Sequence, residues 1–349
     1  KPFMGTFDGN NKVISNLVCS QENSDLGTGL FGYMKTPGVI KNVIVNNANL
    51  KGKARVGTII GSYYTGNLEN CKVQGNIEII GNYKVGGLAG EGYGTVSNSV
   101  VDVNSSSFVK GVYIGNDFEG DNIGGLIGFT GELNSSAFMI NNCSSNVNVE
   151  GTRKVGGLVG FLNRGVGVIN GTATGNVSSN ATNDYIAANN ISVGGLIGET
   201  LGTKDIVSIL ENCSVGGIVT GPSIDKTGAL VGYLRDDATI IRVINCTWFG
   251  ALAEVGNGNK ISDTNDYTRV TLNETKVVNE IEIENVAPIV DEENEIVQES
   301  VPSEEPIPTE TTEPSMEPLE SEVEIVEEGL TAGLETLDTT AALEEALSI

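Results

Sequence analysis

The sequence predicts an all-β protein: a right-handed parallel β-solenoid (β-helix) of about eight coils, followed by a disordered acidic tail. Two short phrases that recur out to residue 250, and a change of composition beyond it, carry this expectation. The first phrase is Val-Gly-Gly-Leu-Xaa-Gly. Its strictest copies are Val85 to Gly90, Val155 to Gly160 and Val193 to Gly198. Ile123 to Gly128 is close, Val56 to Gly61 and Thr227 to Gly232 are looser, and Gly29 to Gly32 is shortened. The closing glycines, Gly32, Gly61, Gly90, Gly128, Gly160, Gly198 and Gly232, lie 29, 29, 38, 32, 38 and 34 positions apart. A fixed phrase at such intervals marks a solenoid, a propeller or an array.

The second phrase separates these architectures. It reads apolar-any-Asn and ends at Asn16, Asn42, Asn70, Asn98, Asn142, Asn170, Asn212 and Asn245. Inward-type residues stand two before the Asn, then one and three after it. Strand side chains alternate with period two, so the alternation slips one register at each Asn. That slip describes two strands meeting at a corner. Asn suits a corner because it tolerates left-handed backbone angles and bonds local main chain. Stacked corners would align the Asn amides in a ladder. The glycines fit tight corners too, by allowing close backbone approach and by supplying positive φ.

Each repeat therefore reads as one coil, right-handed as parallel crossovers are. At about 4.8 Å per coil, eight coils make a rod of roughly 40 Å. No segment before residue 250 keeps a 3.6-residue period, which argues against helical repeats; a β-propeller has similar repeat lengths and is the alternative.

The formal charge of −25 is unevenly placed. From Thr271 to Ile349 there are 23 acidic residues and one basic, Lys276, so the array itself is nearly neutral. Six of the nine prolines also fall in that tail. Such a segment cannot bury enough apolar surface to offset chain entropy. The domain reading is solenoid over 1–255, acidic Pro/Glu-rich linker over 256–329, and a short helix over 330–349 from the spacing of Leu330, Leu334, Leu337 and Ala341. No cap precedes the first coil, so the chain reads as a fragment.

Composition also excludes chemistry. With no histidine, Ser-His and Cys-His pairs, the His-Glu-Xaa-Xaa-His zinc helix and His-based metal sites are all ruled out. No catalytic residue and no cofactor is assigned. Four cysteines (Cys71, Cys143, Cys213, Cys246) follow a corner Asn, and Cys19 also takes an inward place. Cys213 and Cys246 alone come from adjacent coils, near enough for a bridge. Buried thiols acting as small hydrophobes are the simpler reading. Trp248 reads as a plug for the C-terminal end of the core.

Asp117, Glu119 and Asp121 alternate like oxygen ligands of a calcium loop, though without the distal Glu of an EF-hand; a surface acidic turn is the plainer reading. Insertions at 104–122 and 178–191 carry the binding-loop candidates Phe108, Tyr113, Phe118 and Tyr185, since solenoid insertions map to loops. Acidic residues in the array show no recurring position that would stack into a cleft.

These phrases, with the opening Gly5-Thr-Phe-Asp-Gly-Asn10 and Ile14-Ser-Asn-Leu17, resemble the GLUG motif of bacterial cell-surface proteins over about residues 3–250. The resemblance implies a β-solenoid in an extracellular setting and brings no catalytic residues. It implies either an adhesin-like module or the non-catalytic repeat region of an immunoglobulin A peptidase. The expected function is a non-enzymatic, extracellular module for adhesion or surface presentation. The alternatives are the accessory region of a secreted zinc peptidase and a polysaccharide-acting β-helix. Host glycans or matrix proteins are the expected partners. Nucleic acid is not expected, since it needs basic patches. No apolar run reaches the ~20 residues of a membrane span.

Overall fold

The computed structural model describes residues 2–23, 25–112, 120–131, 139–164, 167–182, 191–201, 207–223, 226–235, 240–249, 270–273 and 276–278. The chain divides into two compact units, Lys1–Asn285 and Val286–Ile349, and all described residues lie in the first. They form strands and turns around one axis, with every strand pairing parallel. This is a parallel β-solenoid.

Two ladders define its turns. The glycine phrases feed Phe31–Lys41, Ile60–Tyr63, Ala89–Gly92, Ile127–Gly131, Val159–Asn163, Ile197–Leu201 and Val231–Leu234, each hydrogen-bonded to the next. The asparagine phrases close a second run through Gly66–Glu69, Thr95–Ser97, Met139–Asn141, Gly167–Ile169, Val207–Glu211 and Ile240–Ile244.

At the end of each of these strands the corner forms as expected. Asn42, Asn70, Asn98, Asn142, Asn170, Asn212 and Asn245 all sit in the left-handed region, with φ between 49° and 55°. Their amides stack. Asn70 Nδ2 donates to Asn42 Oδ1 at 3.2 Å, Asn142 to Asn98 at 3.1 Å, Asn170 to Asn142 at 2.7 Å and Asn212 to Asn170 at 3.2 Å. Left-handed backbone costs other L-residues about 1–2 kcal/mol, and a typical hydrogen bond contributes about 1 kcal/mol. Asn142→Ala should therefore cost ~2–3 kcal/mol, whereas Asn142→Gly should recover the backbone part; urea melts of the two variants check this.

Asn16 is not a member of this column. It lies on a second bend, between Ser15↔Asn46 and Leu17↔Ala48, where Asn47 Nδ2 donates to its Oδ1 at 3.0 Å. The corner in that first turn belongs to Asn11 (φ 55°), whose N–H bonds the Asn42 carbonyl, while Asp8 Oδ1 accepts from Asn42 Nδ2 at 2.9 Å. Without Asn16 the column holds seven asparagines, matching the seven glycine strands, and the stack makes about seven turns.

The phrase glycines also work differently from the expectation. Among the described residues, left-handed glycines are Gly5, Gly66, Gly75 and Gly120, none of them in a phrase. The bend is made instead by the residue before the phrase: Arg55, Lys84, Asn122 and Lys154 have φ between 51° and 62°. The closing glycines are required by contact. A Cβ on Gly128 would lie 2.5 Å from Val85 N, and one on Gly160 would lie 2.4 Å from Ile123 N. Backbone of one turn rests directly on backbone of the turn before it.

Between the walls runs one apolar core. The opening Val or Ile of each phrase (Val56, Val85, Ile123, Val155, Val193) and its Leu (Leu88, Leu126, Leu158, Leu196, Leu230) are at most 1% exposed. Cys71, Cys143, Cys213 and Cys246 are buried in it and Cys19 is half-buried; all five are free thiols. Burial pushes the Cys71 and Cys143 thiols up to about 11, which keeps them protonated. Trp248 is buried but does not end the stack, because Lys276–Val278 pairs beyond it. Val270–Asn273 likewise adds to Ile240–Ile244. Paired strands therefore run past residue 255, into the span read as linker. The remainder of that linker and the 330–349 helix lie outside the described residues.

Candidate functional site

The two positions flanking each glycine phrase build one chemically rich face. After the closing glycine stand Tyr33, Ser62, Glu91, Phe129, Phe161, Glu199 and Tyr233, paired in register from turn to turn. Before the phrase stand Arg55, Lys84, Lys154 and Lys226, and their side chains reach across the first column. Lys84 Nζ lies 4.4 Å from the Phe129 ring centre, Lys154 5.5 Å from that of Phe161, and Lys226 3.8 Å from that of Tyr233. Such cation–ring contacts contribute ~0.5–1 kcal/mol at exposed sites and more when desolvated. Tyr64, Tyr93, Phe129 and Phe161 continue as a chain of ring contacts, with centres 5.7, 5.9 and 5.5 Å apart.

Three buried carboxylates organise the charges. Glu91, 4% exposed, accepts from Arg55 Nε at 2.5 Å, from the Lys84 ammonium, from Tyr93 at 2.9 Å and from Ser62 at 3.4 Å. Burial alone would push its carboxyl up, but Lys84 and Arg55 hold it below the usual glutamate value. Asp121, 2% exposed, receives Lys154 at 2.7 and 2.8 Å and Arg153 at 2.7 Å. Glu199 is as deeply buried, yet Arg235 Nε at 3.2 Å and Ser192 Oγ at 3.2 Å are its near partners. There burial dominates and raises the carboxyl above its usual value despite Lys154 and Arg235.

Around Glu91 the face opens into a cleft of about 440 Å³. Asp25, Tyr33, Arg55, Tyr64, Lys84 and Tyr93 line it. Asp25 sits at the mouth, bonded by Lys53 at 3.1 Å and by the Tyr83 hydroxyl at 3.1 Å. The Lys53 hydrogen bond is the main reason its carboxyl falls below the usual value. Arg55 Nη1 donates to the Asp25 carbonyl at 2.7 Å. The guanidinium therefore ties the mouth of the cleft to its buried anchor.

The residues proposed from sequence fall elsewhere. Phe108 is in a strand, Phe108–Gly111, paired to Glu78 and Asn148 and half-buried, so it is not a loop anchor. Tyr113, Phe118, Tyr185, Asp117 and Glu119 lie outside the described residues. Asp121 belongs to a strand and is consumed by Arg153 and Lys154, which removes it from any calcium loop. No group of three or more Cys, Asp or Glu side chains is placed to hold a metal among the described residues. Acidic residues do recur at one position after all: Glu91 and Glu199 share the place after the closing glycine. That flanking position was the signal available in the sequence, hidden because its residue type changes from turn to turn.

Fold and face together define a parallel β-solenoid repeat module with one charged, aromatic side. No family model matches the chain. Over 105 residues it is 38% identical to Halomucin of Haloquadratum walsbyi, a stretch covering 30% of this chain and 1% of that protein. A solved Bacteroides ovatus structure, provisionally named an immunoglobulin A1 protease, aligns with a TM-score of 0.44 at 22% identity, over 79% of this chain and 69% of the other.

Proposed function

We propose that this chain is a non-enzymatic, extracellular repeat module of the GLUG type, which adheres through the face built on Glu91 or presents it to a partner. The observation that carries this is the cleft, where the exposed Tyr64 ring and the half-buried Tyr33 and Tyr93 stand beside charges fixed in place by a buried carboxylate. Aromatic and Arg side chains held in this way are typical binding anchors. The recurring glycine phrases support the GLUG-type reading, and the partial likeness to a protein named Halomucin fits a surface setting.

Binding is favoured over catalysis because two of the three buried carboxylates are occupied and the third stands far from the cleft. Glu91 and Asp121 have their lone pairs committed to cations and hydroxyls. Glu91 and Glu199 stand three turns apart, about 14 Å at ~4.8 Å per turn, with Phe129 and Phe161 between them. Two-carboxylate glycoside hydrolysis needs roughly 5–9.5 Å.

The test is to immobilise the full chain and expose it to a glycan array and to matrix proteins. Saturable retention on either, with no new reducing ends released from bound polysaccharide, is the expected result. Silence on both surfaces, or release of reducing ends, overturns the reading.

A further inference from the structure

We infer that the cleft over Glu91 binds a saccharide, with one pyranose ring lying on the open face of Tyr64 and its hydroxyls bonded by Arg55, Lys84 and Asp25. This rests on the adhesion reading and names its ligand class. The rings of the face differ in one respect. Cations of the chain itself cover Phe129 and Phe161. Tyr64 is 47% exposed, and its ring packs against Tyr93. Tyr64 lines the cleft, and an aromatic face suits the C–H side of a sugar ring.

The surroundings supply what a sugar's edge needs. Arg55 and Lys84 bring hydrogen-bond donors, and Asp25 brings an acceptor that stays ionised. Glu91 clamps both cations, so they are ordered before any ligand arrives, which lowers the entropy cost of binding. The volume of about 440 Å³ is within the ~300–1,000 Å³ of small-molecule sites.

Other ligand classes fit less well. A peptide joining as an extra strand needs a free backbone edge, but Ile60–Tyr63 and Ala89–Gly92 are paired on both sides. Nucleic acid needs a surplus of positive charge, whereas Asp25 and Glu91 offset Arg55 and Lys84 here. A polyhydroxylated ligand with one apolar face remains.

The test is calorimetric titration of the full chain with hexasaccharides of glucose, N-acetylglucosamine and galacturonate. Binding of any of the three supports the inference, provided that Tyr64→Ala weakens it roughly tenfold or more while Tyr64→Phe preserves it. Tyr64 is exposed, so both variants should melt as the parent does, and circular dichroism confirms this. No heat with any sugar, or binding indifferent to Tyr64→Ala, overturns the inference. If no sugar binds but matrix proteins hold the parent chain, the saccharide assignment falls and the adhesion reading stands; if nothing is held by the parent, both fall.

Discussion

Gly160→Val should abolish the cooperative unfolding transition of the solenoid. A Cβ at this position would stand 2.4 Å from Ile123 N, 2.5 Å from Asn122 C and 2.6 Å from Gly128 O. All three are backbone atoms of the preceding turn, so no rotamer change relieves the clash. Overpacking a core typically costs ~1–3 kcal/mol, and a clash with fixed backbone belongs at or above the top of that range. In a stack held by nearest-neighbour contacts, one displaced turn also uncouples those on either side. Gly216→Ala is the control. Its nearest neighbour would be Thr174 Cγ2, a side-chain atom at 3.3 Å, and the cost should stay within ~1 kcal/mol. Far-UV circular dichroism through a urea series distinguishes the two. Equal tolerance at both positions would mean that the turns are not in backbone contact.

The second large effect concerns the two glutamates that share one column. Glu91→Gln removes the buried charge that faces Arg55 and Lys84 together. Breaking a buried pair by deleting one partner costs ~3–5 kcal/mol, and the partial exposure of Arg55 places this case near the lower end. The pH dependence has a definite sign. The folded-state pKa of Glu91 lies below its ordinary 4.5, so its stabilisation is present above about pH 4.5 and is lost as pH falls through the folded value. Glu199 is opposite: its folded value lies above 4.5, so ionising it in the fold becomes a growing penalty as pH rises through that value. The cost of Glu91→Gln should therefore shrink in acid. Glu199→Gln should cost little near neutrality and grow relatively more favourable as pH rises from 4 to 7. Melting temperatures of both variants across that range decide the matter; parallel curves would contradict the charge arrangement.

The sequence made the solenoid and most of its corners legible, because stacking repeats a structural demand. Every turn needs a left-handed residue at the same corner, and Asn meets that need in seven consecutive turns. Asn16 was misleading because the same three-residue phrase recurs at a second bend, Val45-Asn46-Asn47, and spacing alone cannot say which bend is which. The glycines of the phrase were found for a mixed reason. Positive φ and close backbone approach both select Gly, and only coordinates separate them. The binding face stayed hidden because its members complement one another across turns rather than repeat. Glu91 draws its partners from Arg55, 36 residues away, and from Lys84, 7 residues away. A column reading Tyr, Ser, Glu, Phe, Phe, Glu, Tyr has no consensus to notice.

The central claim is that the chain winds about one axis, each turn in register with the last. Lys41, Glu69, Ser97, Asn141, Ile169, Glu211 and Ile244 then form one line, six steps long. Pulsed electron resonance between spin labels at Lys41 and Ile244 measures that line. At ~4.8 Å per step the backbone separation is ~29 Å, and the account predicts a single narrow distribution near it, broadened only by the label arms. A distribution spread over many distances, or centred far from that value, would contradict it.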